Sequence, residues 1–176
     1  ESGKSKSRKA EAVRIIKLLD ELKTDPNFEN LSVGIITFYA KQVDEIFREA
    51  SKKGYTEQRA DGSFEITLPY RETNDCREKL RIGSVDSFQG KEFDIVILST
   101  VRSNTISRTH ENYKKVFGFL TLENRLNVAF SRSQKLLIVV GDSEMLSDDF
   151  AKTYVEGFHE FYTNLSTDKQ YGNRIQ

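Results

Sequence analysis

Ser84-Val85-Asp86-Ser87-Phe88-Gln89-Gly90-Lys91-Glu92-Phe93-Asp94-Ile95-Val96-Ile97-Leu98-Ser99 is the stretch that decides the fold. A hydroxyl-rich turn with one glycine runs straight into an unbroken apolar strand, and the acid Glu92 stands at the junction. The run from Phe93 to Val101 is apolar on both faces, as central strands of parallel sheets are. Further on, Asn124-Arg125-Leu126-Asn127-Val128-Ala129-Phe130-Ser131-Arg132 leads into a second apolar strand, Leu136 to Val140. Two polar segments beside two buried strands predict one site at a sheet edge, built for a phosphorylated ligand.

The flanking pattern predicts the rest of the architecture. Ala10, Val13, Ile15, Ile16, Leu18, Leu19 and Leu22 recur at helical spacing between about Lys9 and Lys23, and Asp25-Pro26-Asn27 closes that helix. Leu31 to Phe38 is rich in β-branched residues and reads as a strand. Ala40 to Lys53 is a helix with Val43, Ile46, Phe47 and Ala50 inward, stopped at Gly54. Residues 55–79 are polar and irregular, with an Asp61-Gly62 turn and a short strand at Phe64 to Leu68. Leu80 to Val85 is a strand and Ser103 to Lys115 a polar loop. Leu122 to Phe130 is helical with Leu122, Leu126 and Ala129 inward, and Lys135 to Gly141 is a two-sided strand. Phe150 to Leu165 closes the chain as one aromatic-rich helix. Apolar strands alternating with helices predict a doubly wound α/β fold: one domain over 1–176, a mainly parallel sheet with helices on both faces, and irregular insertions at about 55–79 and 103–117.

Composition narrows the function classes. Lys plus Arg and Asp plus Glu number 27 each, so net charge gives nucleic-acid binding no support, and such binding needs a local patch. The single cysteine, Cys76, excludes an intramolecular disulfide and a cysteine-based metal site. There is no apolar run of membrane-spanning length and no signal peptide, so the expectation is an intracellular protein without a membrane partner. The chain opens in a polar run without an initiating Met, as a fragment of a longer protein does. Gly3-Lys4-Ser5 imitates the tail of a phosphate-binding loop, but only Glu1 and Ser2 precede it, where such a loop needs a strand and an upstream glycine.

Three segments carry chemistry. Ser84, Asp86, Ser87 and Gln89 offer small hydrogen-bonding groups suited to phosphodiester contacts. Gly90 permits close backbone approach, and a carboxylate such as Glu92 can accept from a ribose hydroxyl pair. The same residues also suit a helix-capping turn. Arg125 projects from its helix, and Arg132 lies just past the helix end; an arginine held there can bond a phosphate bidentately, or simply favour the helix dipole from the surface. Tyr39 and Gln42 follow the first strand, where they can stack on a base and bond its edge or pack into the core. In doubly wound sheets ligands sit beyond the carboxyl ends of strands, which places Phe38 to Gln42, Arg102 to Asn104 and Gly141-Asp142 there. The segment 84–92 enters a central strand, so it must curl back over the sheet.

Together these segments resemble the second RecA-like domain of superfamily 1 helicases, in the branch of the nonsense-mediated-decay helicase and senataxin. Val33-Gly-Ile-Ile-Thr-Phe-Tyr-Ala-Lys-Gln42 is similar to motif IV, Val85-Asp-Ser-Phe-Gln-Gly-Lys-Glu-Phe-Asp94 to motif V, and Gly118-Phe-Leu120 with Arg125-Leu-Asn-Val-Ala-Phe-Ser-Arg132 to motif VI. Glu11-Ala12 also fits, and the likeness covers about residues 8–142. It departs at Phe38, where proline is usual, at Asn124, where a frequent arginine is missing, and at Ser131, where threonine is common.

The resemblance implies an ATP-dependent DNA or RNA helicase or translocase whose C-terminal motor domain is this chain. Arg132 would be the arginine finger, and Arg125 would couple nucleotide to strand. Gly90, Lys91 and Glu92, with Tyr39 and Gln42, would meet ATP, and Ser84, Asp86, Ser87, Gln89, Arg102 and Asn104 would meet single-stranded nucleic acid. Mg²⁺ ligands and the true phosphate loop are expected on an N-terminal RecA-like domain of the same parent, with no metal site on this chain. The rival readings are a non-catalytic RecA-like interaction module with a degenerate nucleotide cleft and, more weakly, a flavodoxin-like enzyme.

Overall fold

Helix α1 (Lys9–Leu22), strand β1 (Val33–Thr37) and helix α2 (Ala40–Ser51) begin the computed structural model, which describes residues 6–175. Gly3-Lys4-Ser5 lies outside the described residues. Strands β2 (Thr56–Gln58) and β3 (Phe64–Ile66) form an antiparallel ribbon. Strands β4 (Leu80–Ser84), β5 (Phe93–Ser99) and β6 (Ser133–Val140) join β1 in an all-parallel sheet of order β4-β1-β5-β6. Short helices α3 (Tyr113–Phe117), α4 (Glu123–Phe130), α5 (Asp149–Tyr154) and α6 (Glu156–Glu160) complete the described chain. This is the doubly wound α/β arrangement that the strand and helix pattern predicts, and the RecA-like one that the resemblance implies. Among the described residues no helix is long and apolar enough to cross a membrane.

Where the sequence predicts a single domain, the backbone divides into two compact units. The first runs to Val101 and adds Val128–Val140; the second is Arg102–Asn127 with the chain from Gly141 on.

In the first unit, Ile15, Ile16 and Leu19 of α1 and Ile46 and Ala50 of α2 bury against Ile35, Ile82 and Ile97 of the sheet. The buried stripe of α1 runs through Glu11, Ala12, Ile15, Ile16, Leu18 and Leu19. Ala10 and Val13, expected inward, face solvent, because the stripe is centred elsewhere on the helical wheel. Gly54 at φ +75° ends the α2 region as expected. Residues 55–79 are less irregular than predicted: Phe64 stacks on Phe47 of α2 with ring centroids 5.6 Å apart, pinning the β2–β3 ribbon. Strand β6 is a sheet edge, half-exposed to fully exposed throughout, not buried on both faces.

The connection from β4 to β5 is the unusual element. Both strands are parallel to β1 and flank it, so the chain leaves the carboxyl end of β4 at Ser84 and must reach the amino end of β5 at Phe93. It retraces the sheet, ~16 Å for five residues of strand. Two glycines make room for it. A Cβ on Gly34 of β1 would lie 2.8 Å from Phe88 and 3.0 Å from Phe93, and one on Gly83 would lie 2.3 Å from Ser87 Oγ. Phe88 is fully buried over this strip, its ring 5.4 Å from that of Phe93.

In the second unit the expected single closing helix is broken at Val155, a buried β-branched residue at φ −144°, ψ 48°. Leu122, expected inward, is exposed; Leu126 and Ala129 are buried.

Gly34→Ala should destabilise the protein by about 1–3 kcal/mol, because the new methyl meets two buried rings that have nowhere to go. Gly83→Ala should cost less, since a serine hydroxyl can rotate away. Urea midpoints at constant slope measure both; equal costs would mean the return connection does not press on β1.

Candidate functional site

The amino ends of β5 and β6 bring four of the expected residues together. Gly90 sits at φ +72°, a backbone state that favours glycine, with open space where a Cβ would stand. Lys91 and Glu92 follow, both exposed. Phe93 N donates to Arg132 O at 2.9 Å, so the register of β5 and β6 sets Arg132 beside them. The Arg132 guanidinium donates from Nε to Val128 O (3.1 Å), from Nη1 to Lys91 O (3.3 Å) and from Nη2 to Ser131 Oγ (2.8 Å). All three acceptors are neutral. Among the described residues no carboxylate pairs with Arg132, so its position is fixed while its charge stays uncompensated. Glu92 Oε2 accepts from Gln134 Nε2 at 2.8 Å. A cavity of about 220 Å³ opens alongside, lined by Ser32, Arg77, Glu78, Lys91, Glu92 and Phe93.

A buried carboxylate locks this end of the sheet. Asp94 is 2% exposed. It accepts from Ser32 N and Oγ and from Arg77 Nη1, all at 2.9 Å, and from Lys135 Nζ at 2.8 Å. Burial pushes its carboxyl up, but the bonds from Lys135, Ser32 and Arg77 outweigh that and hold it well below the usual carboxylate range. Sequence reading missed both Asp94 and Gln134. Two-residue alternation after Arg132 was the available signal, since Gln134 and Lys135 reach different acids.

Ser84, Asp86, Ser87 and Gln89 lie along the return connection, which begins at the opposite end of the sheet. Ser87 Oγ donates to Ser84 O at 2.7 Å, and Asp86, Ser87 and Gln89 are exposed.

The structure does not bring Tyr39 and Gln42 to the other nucleotide residues. They follow the carboxyl end of β1, while Glu92 and Arg132 precede the amino ends of β5 and β6. Both are buried. Gln42 Oε1 accepts from Arg8 N (2.6 Å), and its Nε2 donates to Arg8 O (3.2 Å) and Ser99 Oγ (3.1 Å). Glu11 extends this polar core by accepting from Ser99 Oγ (2.7 Å) and Val101 N (2.9 Å). The amide of Gln42 is thus used to dock α1 and α2 on the sheet.

In the second unit Arg125 lies 5.4 Å from the centroid of the exposed Phe119 ring. Arg102, expected at the strand, is 3% exposed, and its guanidinium donates to Val116 O and Lys115 O. Asn104 Nδ2 donates to Val116 O at 2.9 Å. Both bond the Val116 carbonyl; Arg102 does so from a buried position and Asn104 from a half-buried one.

Residues 1–144 match the AAA_12 family model, described as an AAA domain. This chain belongs to that family: it is a C-terminal domain of a superfamily 1 helicase, in the nonsense-mediated-decay helicase and senataxin branch. It is 31% identical to the RNA helicase Mov10l1 of Mus musculus over 80% of this chain and 10% of the relative. It is 39% identical to the putative helicase mov-10-B.1 of Danio rerio over 66% of this chain and 10% of that protein. The chain therefore spans about a tenth of the length of these curated relatives. The C-terminal domain of a possible DNA helicase from Lactobacillus plantarum is also similar, at 14% identity and a TM-score of 0.47, covering 78% of this chain and 70% of that one.

Asp94 gives the helicase domain a defined acid response. Its folded-state pKa is depressed, so its stabilisation is full above about pH 4, the unfolded value, and is lost as pH falls through the folded one. Asp94→Asn should cost about 3 kcal/mol at neutral pH. Urea midpoints at neutral and acid pH should show the gap between wild type and variant narrowing on acidification; a constant gap would mean the carboxylate charge contributes nothing.

Proposed function

We propose that this chain is the C-terminal motor domain of a longer ATP-dependent helicase or translocase working inside the cell. The observation that carries the reading is Arg132: a rigidly held guanidinium with uncompensated charge, beside Glu92 and the open backbone of Gly90. In the parent protein ATP would lie against the amino ends of β5 and β6. Gly90 and Lys91 would border it, Glu92 would accept from the ribose hydroxyls, and Arg132 would reach the γ-phosphate. These residues fit one wall of a nucleotide site. ATP supplies the phosphoryl group and Mg²⁺ the neutralising charge; the Mg²⁺ ligands and the phosphate loop would come from an N-terminal RecA-like domain.

Ser84, Asp86, Ser87 and Gln89 would contact the backbone of a single strand. Because they share one short connection with Gly90 and Glu92, closure at the nucleotide would move the strand contacts with it. Arg125 would assist this coupling. RNA is the first substrate to test, because the mouse relative is named an RNA helicase.

Arg132→Ala in the parent protein should lower kcat by about 10³-fold or more, with ATP binding little changed, as expected for a group that stabilises charge developing in the transition state. Steady-state ATPase assays with single-stranded RNA decide it. A loss below about threefold would favour a non-catalytic interaction module. The isolated 176-residue chain should turn over no ATP with or without a single strand; measurable turnover would contradict a shared site.

A further inference from the structure

The second unit carries aromatic rings and unpaired cations that the nucleotide and motif V contacts do not use. Tyr113 of α3 stacks on Tyr154 of α5 with centroids 4.5 Å apart and planes 16° from parallel. Phe150 meets Tyr154 edge-on at 4.8 Å. His110 completes the cluster at 6.2 Å from Tyr113 and 5.8 Å from Tyr154, its Nδ1 bonded to the Tyr154 hydroxyl. Below, Phe117 is fully buried and stacks on Phe150 at 5.5 Å, which fixes the cluster from inside. His110 is exposed, and Tyr113 and Tyr154 are half-buried, so ring surface remains at the solvent boundary.

Charge singles out the partner. Lys114 and Lys115 adjoin Tyr113, Lys152 lies in α5 with Tyr154, and all three are exposed. Among the described residues none of the three forms an ion pair. Lys114 Nζ stands 5.7 Å from the Tyr113 ring centroid. The arginines of the same segment are already used: Arg102 holds main-chain carbonyls, and Arg108 pairs with Asp148. Unpaired ammonium groups beside pre-stacked rings suit a partner that offers both phosphates and flat π faces. A duplex hides its base faces, and free phosphate has none.

We infer that Tyr113, Tyr154 and His110, with Lys114, Lys115 and Lys152, form a base-stacking contact for single-stranded nucleic acid, distinct from the backbone contacts of residues 84–89. The inference rests on the reading that the parent protein binds single strands. A stack held rigid by α3 and α5 would take up a base at little entropic cost, and the lysines would meet the flanking phosphates without reading sequence.

The test measures binding of the parent protein to a fluorescent single strand and to an abasic strand of equal length. Tyr113→Ala should weaken binding of the base-bearing strand about fivefold or more and leave the abasic strand unchanged. Tyr113→Phe should restore the wild-type preference. The double change Lys114→Ala, Lys115→Ala, on exposed positions, should weaken both strands and flatten the salt dependence. A preference for bases that survives Tyr113→Ala, together with a salt slope unmoved by the lysine changes, would overturn the inference and assign the patch to a protein partner. Wild-type protein that binds neither strand would instead overturn the helicase reading itself.

Discussion

One steric constraint organises the first unit: a connection of residues 85–92 must carry the chain from one end of a parallel sheet to the other. Parallel strands usually need a helix-length crossover for this. Here the chain instead lies flat on the sheet, over strands whose side chains are missing at Gly34 and Gly83. Phe88 fills the strip and is fully buried. The consequence is mechanical. Groups exposed near the carboxyl end, at Asp86 and Ser87, and groups exposed at the amino end, at Gly90 and Glu92, belong to one short tether pinned at its middle.

Asp94 holds the far end of that tether. A carboxylate that is 2% exposed is tolerable only because cations and a serine surround it. Its partners come from three places in the chain: Ser32 before β1, Arg77 before β4 and Lys135 in β6. Three strand entries are thereby tied to the fourth. Since Phe93 N also donates to Arg132 O, the same lock sets where the guanidinium stands.

The sheet strands and the long amphipathic helices were legible because hydrophobic period is a strong signal when a face is buried. The errors fell where tertiary context overrides pattern. Val13 shares the apolar helical period, yet the buried stripe of α1 passes beside it. Strand β6 looked two-sided because its residues are apolar, yet it is an edge, and strand order is not written in a single segment. The closing helix broke at Val155, with neither Gly nor Pro to announce it. That Arg102 is buried against Val116 O was not legible either, because it depends on how the following loop folds back on it. For the candidate site, Gly90, Glu92 and Arg132 were visible as residue types and spacings, and the structure sets them at the same end of the sheet. The separation of Tyr39 and Gln42 from them was not, because it follows only once all four strands are known to run the same way.

The bonding of Arg132 explains how one side chain can be both rigid and available. An arginine paired with a carboxylate is well placed, but an incoming phosphate must then break that pair. An arginine left in water is available but spread over many rotamers, and ordering it costs free energy at the moment of use. In the proposed role Arg132 would avoid both costs. Two carbonyls and one hydroxyl fix the guanidinium without cancelling its charge. One of those carbonyls belongs to Lys91, the residue between Gly90 and Glu92. The guanidinium at the amino end of β6 and the Gly90–Glu92 turn are therefore joined by a direct hydrogen bond.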